Sequence, residues 1–209
     1  MTLKTICIMG LALVLAAPAW AVTVVDVDAG GRIPDSGTLG TSTYTFTVPD
    51  LGEILDLNVR FSASHTWDSD LEVSLSSPAG TSLSLFTDVG GSGDNFEDTL
   101  IDDEAPSPIN LGTAPFAGAY APENGSLSVF DGEEALGLWT LTVIDDAGGD
   151  IGWLYMAGDS APWGTATGTQ LIFDTDQQQP PPPNPIPEPV TVLGALMGLG
   201  AVGRYLRRR

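Results

Sequence analysis

The stretch LEVSLSSPAGTSLSLF, residues 71–86, decides the fold class of this chain. Apolar and polar residues alternate in both of its outer parts, 71–77 and 82–86, which is the pattern of a strand with one buried face. The Pro-Ala-Gly between these parts is typical of a turn. The same alternation recurs in five further segments, at 22–27, 43–48, 55–64, 139–145 and 169–173.

Residues 22–176 are therefore predicted to form an all-β domain. Turns rich in Gly, Pro, Asp and Asn separate the alternating segments, and no helical pattern longer than two turns precedes residue 190. Several short strands without a repeat period predict an antiparallel β-sandwich of jelly-roll type.

The N-terminal residues 1–21 have the pattern of a secretory signal peptide. Lys4 supplies the positive charge, residues 6–16 form an apolar core, and Ala19-Trp20-Ala21 fits a signal peptidase cleavage site. Cys7 lies inside the apolar core, so the mature protein would contain no cysteine and no disulfide. We expect signal peptidase to be a partner and the protein to be exported through the inner membrane.

The C-terminal part begins with a proline-rich linker, residues 177–186, whose composition favours an extended polyproline II spacer. An apolar span follows at 190–203, which as a helix would be about 21 Å long against roughly 30 Å of membrane hydrocarbon. This predicts a short transmembrane helix that is marginal as a permanent anchor. By the positive-inside rule its arginine-rich end stays in the cytoplasm and the acidic domain lies outside.

Residues 187–209 resemble the PEP-CTERM sorting signal of Gram-negative bacteria. The resemblance implies recognition by an exosortase-type processing enzyme and a link to exopolysaccharide. It also implies a location at the cell surface, in the outer envelope or in the extracellular matrix, with a transient or permanent membrane anchor. The matching residues are Pro187, Glu188, Pro189, Arg204, Arg207, Arg208 and Arg209.

The charge of the predicted mature part is strongly negative. Residues 22–187 contain two basic residues, Arg32 and Arg60, against 26 acidic ones, which gives a formal charge of −24. Nucleic acid is excluded as a partner, because phosphate binding requires a cationic face. Such self-repulsion weakens a compact state unless it is offset, and bound divalent cations are the obvious candidates.

Acidic residues are concentrated in three stretches, at 68–72, 90–108 and 145–150. If a strand begins at residue 68, Asp68, Asp70 and Glu72 share one face, with Glu72 facing solvent. Calcium takes six to eight oxygen ligands, and an irregular loop such as 90–108 supplies them well. For any single acid here a solvated loop is the favoured interpretation, but for the cluster as a whole we predict at least one calcium site. The candidate ligands are Asp68, Asp70, Asp94, Asp98, Asp102, Asp103 and Asp145.

No sequence pattern indicates a catalytic site. His65 is the only histidine, and its place in a His-Thr-Trp segment favours a structural role. The chain has no multi-histidine zinc set and no phosphate-binding glycine loop. We predict a protein that is not an enzyme, with a hydrolase using an unrecognised carboxylate pair as the alternative. A second alternative is a carbohydrate-binding module that grips extracellular polysaccharide through Trp163.

Three segments, 65–81, 93–105 and 122–154, resemble the P domain (Homo B domain) of proprotein convertases. The resemblance implies a jelly-roll β-sandwich that is not catalytic itself, often attached to subtilisin-like proteases that it stabilises, with calcium binding among its relatives. The chain departs from the family pattern after Leu154, where a loop is inserted before the last strand. The matching motifs are His65-Thr66-Trp67, Asp70-Leu71, Ser77-Pro78-Ala79-Gly80-Thr81, the run at 137–145 and the run at 150–154.

Overall fold

The computed structural model describes residues 22–35 and 40–178, and within them the chain is built from strands and single turns of 3-10 helix, without an α-helix. This confirms the all-β prediction. The strands are β1 (Thr23–Asp26), β2 (Gly31–Ile33), β3 (Gly40–Val48), β4 (Ile54–His65), β5 (Leu71–Ser76), β6 (Ser82–Thr87), β7 (Phe96–Ile101), β8 (Ala119–Tyr120), β9 (Gly137–Asp145), β10 (Gly152–Leu154), β11 (Ser160–Ala161), β12 (Gly164–Thr165) and β13 (Gln170–Thr175). The 3-10 turns are Asp68–Asp70, Ile109–Leu111, Leu127–Phe130 and Asp176–Gln178.

Two sheets carry most of these strands. The larger has the order β1-β13-β4-β10-β2, with β7 on the other edge of β4 and β8 paired to β7. The smaller has the order β3-β9-β5-β6, and all of its pairs are antiparallel. A separate short pair, β11 and β12, is formed by the segment after β10. The finer expectation of jelly-roll connectivity stays a prediction.

The inner faces of the two sheets share one hydrophobic core. Along β9 every second residue from Trp139 is buried, which is the period of a strand with one face inward. Trp139 meets Phe173 of the larger sheet edge-on, with ring centroids 5.6 Å apart. Phe61 and Phe86 make a similar contact at 5.5 Å from opposite sheets. Burial of these large rings between the sheets is what holds the β-sandwich together.

The segment 96–101 is a strand, β7, although the sequence indicated an irregular loop there. Its residues pair with the long strand β4, but the register shifts between Phe61 and Ala63, and Asp98 has a positive φ of 55°. An irregularity of this kind breaks the period-two alternation, which is why the pattern of the sequence did not reveal the strand.

The predictions for the two ends fall outside the described residues. These are the signal peptide, nearly all of the proline-rich linker, the short transmembrane helix and every residue of the sorting signal from Pro187 to Arg209. The part of the chain that the structure does describe contains no helix long and apolar enough to cross a membrane.

Candidate metal centre

Six acidic residues lie at one end of the four-stranded sheet, where β5 begins and β6 and β9 end. Strand pairing sets Leu71 opposite Asp145 and Glu72 opposite Thr87, and the Asp146 amide donates to the Asp70 carbonyl at 2.9 Å. We call this group the acidic end. Its members are Asp68, Asp70, Glu72, Asp88, Asp145 and Asp146.

Asp68 and Asp145 are the two carboxylates of the acidic end without solvent exposure. Asp68 lies in the 3-10 turn Asp68–Asp70, and the strand begins at Leu71 as predicted, so the case of a strand that starts at residue 68 does not apply. Its side chain has no solvent exposure. The Oδ1 atom accepts a hydrogen bond from the Asn95 amide at 2.9 Å, whereas the Oδ2 atom is buried without any partner.

The loop 90–95 closes over Asp68. The Asp68 amide donates to the Gly93 carbonyl at 2.9 Å, and the Ser69 amide donates to the Gly91 carbonyl at 3.2 Å. Gly90 has a φ of 86°, and a Cβ there would lie 2.7 Å from the Phe116 ring and 3.1 Å from the Asp68 Cβ. Only glycine allows the chain to pass this closely, so the loop and the carboxylate form one unit.

Burial raises the pKa of the Asp68 carboxyl to about 8, and the nearby Asp94 carboxylate adds to the rise. Asp94 itself is exposed, whereas Asp68 is buried. The effect of the Asp94 charge on the Asp68 carboxyl shows that these two predicted ligands are neighbours. A neutral carboxyl satisfies the Asp68 site without a counter-charge, whereas an ionised one requires a cation beside the Oδ2 atom.

Asp70 and Asp145 form the second part of the predicted set. Both are buried, and burial is the largest cause that raises the pKa of each carboxyl. The Asp145 carboxylate adds to the rise in the pKa of Asp70. The Asp145 Oδ2 atom lies 3.4 Å from His65 Nε2, and the Oδ1 atom has no partner.

His65 is fully buried and has the structural position that the sequence predicted. Its Nδ1 atom lies 2.8 Å from the Trp67 carbonyl oxygen, and its Nε2 atom faces Asp145. Both ring nitrogens are thus engaged with protein groups. Within residues 22–35 and 40–178 this is the one contact within 4 Å between a basic and an acidic side chain, so neither Lys nor Arg neutralises the acidic end there.

The acidic end has a third part, which was not predicted from the sequence. One carboxylate oxygen each from Glu72, Asp88 and Asp146 lie within 4.8 Å of one another. Glu72 comes from β5 and the other two from the turns that follow β6 and β9. Burial and the adjacent Asp146 carboxylate raise the pKa of Asp88. The period-two pattern had placed Glu72 on an outer face, but nothing in the sequence indicated that two distant turns end beside it.

Asp98 lies elsewhere and binds protein groups. Its Oδ1 atom accepts from the Ser62 hydroxyl at 2.9 Å and from the Thr167 and Gly168 amides at 2.9 and 3.2 Å. Burial opposes ionisation of this carboxyl, but the hydrogen bonds outweigh it and lower its pKa. Asp98 therefore ties the loop inserted before β13 to the larger sheet.

Asp102 and Asp103 also lie away from the acidic end. Asp103 accepts hydrogen bonds from the Leu127 and Ser128 amides at 2.8 and 2.9 Å and from the Ser126 hydroxyl. Asp102 accepts from the Glu104 amide at 2.8 Å. The structure thus distributes the seven predicted ligands among separate places. Among them, Asp68 and Asp145 are those with a buried carboxylate oxygen that has no hydrogen-bond partner.

Trp163, the predicted glycan contact, lies in the turn between β11 and β12. It is half-buried, its ring meets the Tyr155 ring edge-on at 5.3 Å, and its indole nitrogen is buried without a partner. The more exposed ring nearby is that of Trp153, which lines an open cleft of about 430 Å³. Asp159, Ser160 and Tyr155 line the same cleft.

Comparison with known proteins identifies a family for about half of the chain. The family model of the proprotein convertase P-domain matches residues 54–157. No curated protein matches the sequence.

Two solved structures are similar in part. Crystal structures of the serine protease of Aeromonas sobria, in complex with its chaperone and alone, are each 18% identical to this chain. The TM-scores are 0.37 and 0.36, and each alignment covers 76% of this chain. The chain spans only 28% of the length of each of these structures.

Proposed function

Since residues 54–157 belong to the proprotein convertase P-domain family, we propose that this chain is a non-catalytic, calcium-stabilised β-sandwich that acts outside the cell. The single observation that carries the calcium part is Asp68, a carboxylate without solvent exposure whose Oδ2 atom has no partner. A buried anion of this kind is strongly unfavourable unless it stays protonated or binds a cation.

The donors of the acidic end fit a hard cation. Carboxylates and backbone carbonyls are the ligands that calcium prefers, and the acidic end has many of the former. The Glu72, Asp88 and Asp146 group, whose carboxylate oxygens lie within 4.8 Å of one another, would hold one ion. A cation beside the Asp68 Oδ2 atom, or one between Asp70 and Asp145, would occupy a separate site. A bound ion would supply the counter-charge that is missing from a domain with a formal charge of −24.

A catalytic role fits the site poorly. The one histidine is buried, with both ring nitrogens engaged by Trp67 and Asp145. A general base must reach a substrate proton, and His65 has no exposed face for that purpose. P domains are the non-catalytic part of proprotein convertases, which supports the same proposal. A hydrolase with a carboxylate pair remains the weaker alternative.

The proposed location rests on the two ends of the sequence. Residues 1–21 would direct export through the inner membrane, after which signal peptidase would remove them. Residues 187–209 would be recognised by an exosortase-type enzyme, with the acidic domain held at the cell surface, in the outer envelope or in the matrix. The proposed role there is structural or one of interaction, linked to exopolysaccharide.

Thermal melting in calcium and in EGTA tests the calcium proposal. At a free calcium concentration near 100 Kd, binding adds about 2.7 kcal/mol to the free energy of unfolding, and we expect Tm to rise by about 5–10 °C. Asp68→Asn and Asp70→Asn should reduce this rise, whereas Asp131→Asn, an exposed acid outside the acidic end, should leave it intact. A Tm that EGTA does not change would refute the calcium proposal and leave the family assignment standing.

A further inference from the structure

The cleft beside Trp153 has the composition of a saccharide site. Trp153 exposes 46% of its surface, although its strand β10 is paired on both sides, with β4 and with the edge strand β2. A large exposed indole of this kind presents a flat apolar face, and the carbon-bound hydrogens of a sugar ring bury apolar surface well against such a face. The cleft volume of about 430 Å³ lies within the roughly 300–1,000 Å³ range of small-ligand sites.

Polar groups surround this aromatic platform on several sides. The polar residues Asp159 and Ser160 line the cleft together with Tyr155. The Tyr155 hydroxyl is 3.0 Å from the Ser64 hydroxyl. Strand pairing sets Arg32 and Ser64 on either side of Trp153. An apolar face rimmed by hydrogen-bond donors and acceptors matches a polyol rather than an apolar ligand.

The far wall of the cleft is held in place before any ligand arrives. The Asp159 Oδ2 atom accepts from the Met156 amide at 2.9 Å, which leaves its Oδ1 atom for another donor. The Gly158 and Ala166 amides donate to the carbonyls of Ala166 and Asp159, respectively, at 3.0 and 2.9 Å. Asp98 fixes the return of the same loop through the Thr167 and Gly168 amides. A rigid wall lowers the ordering cost of binding.

This wall lies beyond the part of the chain that the P-domain model matches, which ends at residue 157. Asp159, Ser160 and the β11–β12 pair are therefore an addition to the family domain. Trp163, in the turn between β11 and β12, is half-buried and packs on the Tyr155 ring, which connects this added segment to the family domain. Its position explains how a loop without a core of its own keeps a fixed shape.

We propose that the Trp153 cleft is a binding site for a neutral polysaccharide, with one hexose stacked on Trp153. Asp159 accepts hydrogen bonds from the hydroxyls of the sugar, and Arg32 donates to its ring substituents. The formal charge of −24 disfavours an acidic polymer, because such a polymer would be repelled over its whole length. The proposal rests on the extracellular location proposed above, where such polymers occur, but not on calcium binding.

Affinity gel electrophoresis of the full-length chain tests this site. Gels containing dextran, galactomannan or xyloglucan are compared with a gel containing alginate, an acidic polymer. We expect at least one neutral polymer to retard the protein and Trp153→Ala to weaken that retardation about tenfold or more. Asp159→Asn, which keeps an acceptor for the Met156 amide, should weaken it as well.

The matched control is Trp67→Ala, because Trp67 exposes 44% of its surface but does not line the cleft. It should bind like the wild type. Absence of retardation by every neutral polymer, retardation by alginate alone, or equal loss in Trp67→Ala and Trp153→Ala would each overturn the proposal. Thermal melting in calcium and in EGTA tests the calcium proposal separately. A negative result in the gels therefore leaves the calcium proposal intact, and a negative melting result leaves the polysaccharide proposal intact.

Discussion

At the scale of single residues, Asp68 makes a pH dependence predictable. Its carboxyl has a pKa of about 8 in the folded state, against about 3.9 in an unfolded chain. The folded state therefore binds this proton more tightly, so the stability that it contributes is complete below about pH 4 and is lost as the pH rises through about 8.

In EGTA we expect the free energy of unfolding to fall between pH 5 and pH 8, by at most about 1.4 kcal/mol per pH unit for this one proton. Urea denaturation across that range measures the slope. Asp68→Asn should flatten it, and Asp94→Asn, which changes the exposed neighbour, should leave most of it. An equal slope in wild type and Asp68→Asn would show that another group is responsible.

The increase in the free energy of unfolding that calcium produces should grow as the pH rises, because the ion binds the ionised carboxylate and must displace the proton. Asp68 thus connects the local desolvation of one side chain to a property of the whole protein that is measurable in solution.

At the scale of structural elements, the loop 90–95 depends on Gly90. A Cβ at this position would lie 2.7 Å from the Phe116 ring, in addition to the strain of a φ of 86°. We expect Gly90→Ala to lower the free energy of unfolding by roughly 2–4 kcal/mol, from strain and overpacking together. Because the loop covers Asp68, the Tm rise in calcium should also shrink.

Gly80→Ala is the matched control, since Gly80 has a φ of 93° but no atom within 4 Å of the added Cβ. Gly80→Ala should lose only the stability that corresponds to the backbone strain. Urea denaturation in calcium measures the difference in the free energy of unfolding between the two variants. If both variants lost the same stability, the close approach to Phe116 would not be what constrains the loop.

The elements also show what a sequence pattern reveals and what it conceals. β5 and β9 were predictable because their alternation is regular and one face is fully buried. β7 was not, because the irregularity around Asp98 breaks its alternation. The short turn at Asp68–Asp70 was not predicted, since a three-residue 3-10 turn before a strand has no period of its own.

The candidate site was predictable only in part for a related reason. Asp68 and Asp70 stood out because they precede a clear strand. The use of Asp98 and Asp103 as hydrogen-bond acceptors depends on amides far along the chain, at Thr167 and Leu127. Only the assembled fold brings those groups together. The sequence of residues 90–108 therefore could not show which acids accept hydrogen bonds from the protein and which are left for a cation.

At the scale of the whole molecule, the sandwich and the C-terminal tail are expected to be independent. The core residues all lie between Val27 and Phe173, and the last described contacts of the domain end with Asp176 and Gln177, which bond to the segment at 50–53. The sequence that follows is proline-rich and favours an extended spacer, so we expect the tail to contribute nothing to the stability of the domain.

Deletion of residues 187–209 should therefore change where the protein is found without changing its fold. We expect the truncated chain to keep the same Tm and the same calcium dependence as the full chain, to within about 1 °C. In a host with an exosortase-type system, fractionation should find the full chain at the envelope or in the matrix in a processed form, and mass spectrometry of its C-terminus should place the cleavage near Pro187–Pro189. The truncated chain should pass to the periplasm or the medium without that processing. A truncated product that fails to fold would refute the independence of the two parts, and identical fractionation of both chains would refute the sorting role of the tail.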